Sequence, residues 1–286
     1  MSKILFILNA YPLKKYPALL AILFFQFVRL KSSIWHFLFD SNLIESRSIL
    51  TFLHDHKGEA LPEKDHMRIK FAFCSSSIQM ILRWNSSDFM VFNQVFIREE
   101  YSLLKTEELL RPTILDGGAN IGCTTLYLKA HFPDAMVFAM EADKDNFEIL
   151  QKNIELSKLA NVSCVNNAIW WETGEVFLAA DYRDGREWSR HVAPSGTTKV
   201  AASTIASALE GSGFKQFDIL KLDIEGAEVD IFEKDLSLAS GLKGTCRIAI
   251  EVHEDTNNRV VKGLEQYGFQ LLERGETLFG FRNSLV

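Results

Sequence analysis

Short apolar runs alternate with longer amphipathic stretches over residues 112–282, and this alternation is the strongest constraint on the fold. The runs have the length of strands, whereas the stretches between them have the length and spacing of helices. Because strands that are separated by helices pair in parallel, the pattern predicts a doubly wound, mostly parallel α/β sheet. The last two runs, Phe269–Arg274 and Thr277–Arg282, are separated by Gly275 and Glu276, which predicts a C-terminal antiparallel hairpin.

The first 39 residues differ in charge from the rest of the chain. They contain five basic residues and no acidic one, whereas the remainder holds 26 basic and 37 acidic residues. Their longest uncharged run near the start, Tyr16–Val28, is shorter than the roughly 20 residues that a membrane span needs. A basic, aromatic-rich helix fits a peripheral contact between residues 1–39 and an anionic membrane. Packing against the rest of the protein, or in a homodimer, is the alternative.

The acidic remainder predicts that nucleic acid is not a partner, because phosphate backbones bind basic surfaces. The four cysteines, Cys74, Cys123, Cys164 and Cys246, are dispersed and do not form the close pairs of a zinc site or a redox motif. This favours reduced thiols in an intracellular protein. We therefore expect a cytoplasmic protein, at the inner face of the membrane if residues 1–39 bind lipid.

A glycine-containing loop, Asp116–Gly122, follows the first strand of the alternating region and opens a helix. It does not fit the G-x-G-x-x-G fingerprint of dinucleotide binding, which argues against a nicotinamide oxidoreductase. Asp116 stands at the end of the strand, where its carboxylate would repel a pyrophosphate but attract a cationic amine. Gly118 lets the backbone approach a ligand closely.

Polar residues also follow the next two strands. Glu141 ends the second strand, where a carboxylate can accept hydrogen bonds from two ribose hydroxyls. Asn166, Asn167 and Ala168 end the third strand, where a purine edge would lie. Amine, ribose and base are the three parts of S-adenosylmethionine, which is therefore the predicted cofactor. The predicted cofactor-binding residues are Asp116, Gly117, Gly118, Asn120, Gly122, Glu141, Asn167, Ala168 and Asp223.

Residues 68–282 resemble the FkbM-type family of S-adenosylmethionine-dependent methyltransferases. The resemblance rests on Asp116–Gly122, on Lys221–Glu228 with its D-x-E-G-A-E block, and on Glu251-Val252-His253. It implies a class I, Rossmann-like fold and methylation of hydroxyls, often on sugars or polyketides. With it, we predict an N-terminal helical segment over residues 1–58, a linker and cap segment over 59–111, and a methyltransferase domain over 112–286.

The predicted catalytic residues lie at the ends of the fourth and fifth strands. Asp223 is the first candidate for the base that receives the proton of a hydroxyl acceptor, and His253, with an expected pKa near neutrality, is the second. Glu225 is the third. Glu228 shares one helical face with Glu225, so both could hold a polar acceptor or a divalent ion.

Further residues are predicted to contact the substrate, and no metal site is predicted. Glu251 lies in an otherwise apolar strand, so it needs a partner, which we expect in the active site. The loop after residue 180 carries Tyr182 and Trp188, which could stack on a sugar, and Arg183 and Arg186, which could bind a phosphate or carboxylate.

The sequence thus predicts an O-methyltransferase that acts on a hydroxyl of a saccharide, a glycan precursor or a secondary metabolite. One alternative is an N-methyltransferase of a small molecule, although such enzymes commonly carry an Asn/Asp-Pro-Pro-Tyr motif where this chain has Asp223-Ile224-Glu225-Gly226. Another is a non-catalytic, membrane-attached scaffold with a methyltransferase fold.

Overall fold

The computed structural model describes residues 41–74, 76–179, 191–193, 198–253, 255 and 258–282. The chain divides into two units, Met1–Glu100 and Tyr101–Val286, and the domain boundaries expected at residues 58 and 111 stay predictions. Residues 1–39, which carry the membrane hypothesis, lie outside the described residues, as do Tyr182, Arg183, Arg186 and Trp188. Within the described part of the chain, the helices are too short or too polar to cross a membrane.

The first unit is built on a three-stranded antiparallel sheet. Along its central strand buried and exposed side chains alternate, as the period of a pleated strand requires. The buried rings of Phe71 and Phe73 pack edge-on against Phe96, and Phe71 also packs edge-on against Phe52 and Phe92. The elements of this unit are α1 (Ser41–Asp55), β1 (Glu59–Pro62), β2 (His66–Phe73), β3 (Ser76–Arg83), α2 (Asp88–Phe92) and a π-helical turn, Asn93–Ile97.

A seven-stranded sheet forms the centre of the second unit, and it confirms the predicted class I, Rossmann-like arrangement. The strand order is β13-β14-β12-β11-β4-β5-β6. Strands β4, β5, β6, β11 and β12 are parallel, while β14 runs antiparallel to β12 and β13, which confirms the C-terminal hairpin. These strands are β4 (Thr113–Gly117), β5 (Met136–Glu141), β6 (Val162–Asn166), β11 (Ile219–Leu222), β12 (Arg247–Glu251), β13 (Gln270–Arg274) and β14 (Thr277–Phe281).

Helices connect the parallel strands. Along α4, buried Leu150 and Ile154 lie one turn apart, on the face that helical spacing predicts for core contacts. Asp143 caps the start of this helix, because its side chain accepts a hydrogen bond from the amide of Asn146 (2.9 Å). The helices are α3 (Cys123–His131), α4 (Lys144–Leu156), α5 (Ile205–Ser212), α6 (Glu228–Lys234), α7 (Leu238–Gly241) and α8 (Arg259–Gln266), and a 3-10 helix covers Glu100–Leu104.

A second, four-stranded sheet follows β6, with the order β7-β10-β8-β9, and it was not part of the sequence prediction. Its strands are β7 (Ala168–Ile169), β8 (Gly174–Ala179), β9 (His191–Ala193) and β10 (Thr198–Ser203). Strand β7 begins two residues after β6 ends, so this sheet starts at the carboxyl edge of the central sheet. At that same edge β4, β5, β11 and β12 also end, and their last residues are brought together there.

Candidate active site

A cleft of about 560 Å³, partly open to solvent, lies at the carboxyl edge of the central sheet. Of the predicted cofactor residues, six border it, whereas Asp116, Gly117 and Gly122 are not among the residues that line it. The lining residues are Gly118, Asn120, Glu141, Ala142, Asp143, Asn146, Asn167, Ala168, Ile169, Leu178, Asp223, Ile224 and Glu225.

The glycine loop is held between β5 and β11. The amides of Gly118 and Ala119 donate to the carbonyl of Met140 at 3.0 and 2.9 Å, and the amide of Asp223 donates to the carbonyl of Gly117 at 3.1 Å. Gly118 has a φ of +71°, and a Cβ there would lie 1.8 Å from the carbonyl oxygen of Asp223. Only glycine permits this close approach of the two loops, and the predicted approach of Gly118 to a ligand stays a prediction.

Asp116 points into the protein. It is fully buried, its Oδ2 accepts a hydrogen bond from the hydroxyl of Thr125 (2.6 Å), and its Oδ1 lies 3.5 Å from the ammonium of Lys221. These two partners were not foreseen. The contact of Asp116 with a ligand amine stays a prediction, since the carboxylate faces Thr125 and Lys221 in this structure.

Glu141 and Asn167 present polar groups where the sequence analysis expected the ribose and the base. The carboxylate of Glu141 accepts the amides of Asn120 (2.7 Å) and Asp143 (2.8 Å). Burial raises the pKa of Glu141 to about 7, although these two hydrogen bonds oppose the rise. Asn166 donates from its side chain to the carbonyls of Glu141 and Ala142, which holds this turn in place.

The buried amide of Asn167 supports the cofactor assignment. Its Nδ2 donates to the hydroxyl of Ser203 (3.0 Å), whereas its Oδ1 is buried without a hydrogen-bond partner among the described residues. Buried acceptors are nearly always paired in proteins, so a ligand donor such as the amino group of a purine would complete this one. The residues present therefore fit a nucleoside ligand.

Acidic residues and one histidine gather at the ends of β11 and β12. The Nδ1 of His253 lies 3.3 Å from Glu228, and its Nε2 lies 3.5 Å from Glu251 and 3.7 Å from Glu225. Burial lowers the pKa of His253, but the hydrogen bonds and charges of these carboxylates raise it to about 11. The expectation of a pKa near neutrality is therefore wrong, because carboxylates surround the imidazole. At neutral pH His253 is a cation and a hydrogen-bond donor, not a free base.

Glu225 borders the cleft and has an unusual backbone and pKa. Its φ is +56°, a conformation that non-glycine residues adopt rarely and that often marks functional sites. Burial first, and then the charge of Asp223, raise the pKa of Glu225 to about 8. Glu225 is therefore largely protonated at neutral pH. The neighbouring Asp223 has a side chain that is 26% exposed, and its carboxylate lies 3.5 Å from the ammonium of Lys221.

Glu228 and Glu251 do not line the cleft. Glu228 is fully buried, and its carboxylate accepts the amides of Ile224 (3.2 Å) and Gly226 (3.0 Å) in addition to its contact with His253. It thus holds the turn that carries Glu225, and a substrate contact for Glu228 or Glu251 stays a prediction. Asp223, Glu251 and His253 offer ligand atoms within 4.8 Å of one another, so among the described residues these three could hold a divalent cation.

Lys221 is the main site residue that the sequence analysis did not single out. Its signal was present, since a lysine stands in the middle of the apolar strand Ile219–Leu222. Lysines are almost never fully buried unless they are paired. Here the ammonium contacts two carboxylates and two backbone carbonyls of the site.

Sequence comparisons relate this chain to known proteins. A family model described as the methyltransferase FkbM domain matches residues 116–271. Methyltransferase sdnD of Sordaria araneosa is 22% identical over a 175-residue alignment that covers 50% of this chain and 67% of that protein. Methyltransferase 1 of Beauveria bassiana is 26% identical over a 139-residue alignment that covers 41% of this chain and 56% of that protein. The chain thus spans about two thirds or less of these relatives.

Among solved structures, the magnesium protoporphyrin IX methyltransferase from Synechocystis PCC 6803, with bound SAM, covers 71% of this chain and 86% of its own. Its identity of 13% and TM-score of 0.44 mark a general likeness that bears on neither activity nor substrate. The family match, by contrast, covers more than half of the chain and includes the glycine loop, Glu141, Asp223 and His253. The chain belongs to the FkbM family of S-adenosylmethionine-dependent methyltransferases.

Proposed function

We propose that this protein transfers a methyl group from S-adenosylmethionine to a hydroxyl of a saccharide, a glycan precursor or a secondary metabolite. The observation that carries the proposal is that one cleft is bordered by Glu141, Asn167 and Asp223. The first two suit a ribose and a purine, and the third offers a carboxylate to an acceptor. The family match supports the same reaction class.

Each bordering residue has a distinct part in holding the cofactor. Glu141, once ionised, accepts hydrogen bonds from ribose hydroxyls, and the free Oδ1 of Asn167 accepts one from the base. Gly118 carries no Cβ, which lets the glycine loop lie against the Asp223 carbonyl beside the cleft. When bound, S-adenosylmethionine supplies an electrophilic methyl group on a sulfonium sulfur.

Asp223 serves the acceptor. Its carboxylate borders the cleft, so it can accept a hydrogen bond from the acceptor hydroxyl and take its proton as the carbon–oxygen bond forms. Alignment of the acceptor then contributes much of the rate. We propose that Tyr182, Arg183, Arg186 and Trp188, in the segment of the sequence that follows β8, contact a saccharide acceptor.

N-methyl transfer is the second candidate, and the acidic wall of the cleft is the observation that favours it. Asp223 borders the cleft, and Glu251 lies close to Asp223, so a cationic amine would also be attracted there. Incubation with methyl-labelled S-adenosylmethionine and matched panels of hydroxylated saccharides and amines separates the two. Label in the alcohol products supports O-methylation, and label confined to the amines overturns it.

Calorimetry with S-adenosylmethionine tests the cofactor site directly. Glu141→Gln removes the charge that faces the ribose, so we expect its dissociation constant to rise roughly tenfold, the loss of one charged hydrogen bond. Glu148→Gln, on the exposed face of α4, is the control and should bind as the unchanged protein does. If the folded, unchanged protein shows no affinity, the proposed function is wrong.

We also propose a cytoplasmic location, at the membrane surface if residues 1–39 bind lipid. The four cysteines, all among the described residues, form no disulfide, which suits a compartment where thiols stay reduced. The basic charge of residues 1–39 supports the membrane contact. A homodimer contact through the same residues is the alternative proposal.

A further inference from the structure

Lys221 is a buried cation at the base of the cleft. Only 2% of the residue is exposed, in a strand whose other residues are apolar and buried. Its ammonium lies 2.7 Å from the carbonyl oxygen of Gly118 and 3.4 Å from that of Gly117. It also lies 3.5 Å from one carboxylate oxygen of Asp116 and 3.5 Å from one of Asp223.

The ammonium stays charged in this position. Burial lowers the pKa of Lys221, but the carboxylates of Asp223, Asp116, Glu251 and Glu141 outweigh burial and raise it above its usual value. Taking a lysine charge out of water is unfavourable, and the pairing must offset that cost. A methionine would fill the same space in the strand without this desolvation cost, so the presence of a charge needs an explanation.

Its partners lie on two adjacent loops of the cleft. Gly118 belongs to the loop after β4 and Asp223 to the loop after β11, and both border the cleft, whereas Lys221 does not. The two loops approach each other closely, and the amide of Asp223 donates to the carbonyl of Gly117. The ammonium adds a second connection beside it, one that reaches the Asp223 side chain.

We propose that Lys221 is a positioning residue for cofactor binding, whose ammonium holds the Gly118 carbonyl and the Asp223 carboxylate in the arrangement that receives S-adenosylmethionine. It acts through these two groups and touches neither cofactor nor acceptor. This inference rests on the proposed function, since it concerns the same cleft. Without the ammonium, the two loops sample other arrangements. The apparent affinity is then the intrinsic affinity multiplied by the fraction of molecules in the binding-competent arrangement.

Lys221→Met tests the proposal by calorimetry with S-adenosylmethionine and with S-adenosylhomocysteine. If the competent arrangement is then populated about a tenth of the time, both dissociation constants rise roughly tenfold. The single change also leaves Asp116 as an unpaired buried charge, which destabilises the fold. The variant Lys221→Met/Asp116→Asn removes that charge and keeps the acceptor for Thr125, so it restores stability while the connection stays broken. Asp116→Asn alone is its reference, and Lys199→Met, at an exposed ion pair, is the surface control.

A merely structural lysine would change the melting temperature and not the affinity. We expect the double variant to melt close to Asp116→Asn yet to bind S-adenosylmethionine roughly tenfold more weakly, with Lys199→Met unchanged in both respects. Equal affinity of the double variant and Asp116→Asn would overturn the inference. Failure of the double variant to fold would overturn it as well, because Lys221 would then serve stability alone. Absence of binding by the unchanged protein would instead refute the proposed function.

Discussion

Replacement of Gly118 by alanine is the sharpest test of how this site is built. A Cβ at Gly118 would lie 1.8 Å from the carbonyl oxygen of Asp223 and 2.8 Å from its carbonyl carbon, both of which are backbone atoms. To reach an ordinary contact of 3.4 Å, the Asp223 backbone would have to withdraw by about 1.6 Å. That movement would separate the glycine loop from the end of β11, where the cofactor is proposed to bind.

The expected loss has two parts, and the chain offers a variant that separates them. Gly118 has a φ of +71° and Gly213 one of +72°, but a Cβ at Gly213 would meet nothing within 4 Å. Gly213→Ala therefore measures the left-handed backbone cost alone, about 1–2 kcal/mol. Gly118→Ala adds the steric clash, for which overpacking adds about 1–3 kcal/mol. We expect a total near 2–5 kcal/mol.

Urea-induced unfolding of both variants measures these free energies, and calorimetry with S-adenosylmethionine measures the effect on the cleft. We expect Gly118→Ala to be the less stable of the two and to lose cofactor affinity, while Gly213→Ala keeps its affinity. Equal unfolding free energies for the two variants would refute the close approach of the two loops. Undiminished affinity in Gly118→Ala would show that the loop contact does not shape the cleft.

Two further predictions concern buried carboxyl groups of the candidate site. Glu228→Gln should lower the free energy of unfolding by about 1–3 kcal/mol, because the glutamine amide can no longer accept from both backbone donors and the imidazolium. Glu233→Gln, on the same helix but half-exposed, should change the free energy of unfolding by less than about 0.5 kcal/mol. Equal effects of the two variants in chemical denaturation would contradict this prediction. The pKa values of Glu141 and Glu225 are raised to about 7 and about 8, so the folded protein holds protons that the unfolded chain releases above pH 4.5. The free energy of unfolding should therefore fall as the pH rises from about 4.5 to 8. An equally steep fall in Glu225→Gln would contradict the raised pKa of Glu225.

Local sequence patterns predicted most of the central sheet. The parallel strands and the hairpin were predicted because each strand is a short apolar run, and such runs reflect burial within one segment. In the second sheet, β7 and β9, with two and three residues, are too short to show a periodicity, and the six-residue β8 and β10 were not recognised as strands. Its place between β6 and α5 depends on pairing between strands far apart in sequence, such as Ala168 with Ala202.

The candidate site was predicted in part for the same reason. Residues at the carboxyl ends of parallel strands share one edge of the sheet, so Gly118, Glu141, Asn167 and Asp223 were expected together and all border the cleft. The directions of the side chains and their charge states were not predicted from the sequence. Asp116 was expected to face the ligand, but the structure turns it toward Thr125 and Lys221.

The sequence by itself determined the alternation of strands and helices in the central sheet, the strand ends that form the site and the family to which the chain is similar. Only the tertiary structure decided which charges share one small volume. Lys221 and Asp116 are far apart in the chain, but their charged atoms are 3.5 Å apart in space, and the carboxylates around His253 raise its pKa to about 11. The physical reason is that desolvation and Coulomb energies depend on distance and burial, which no local pattern of residues contains.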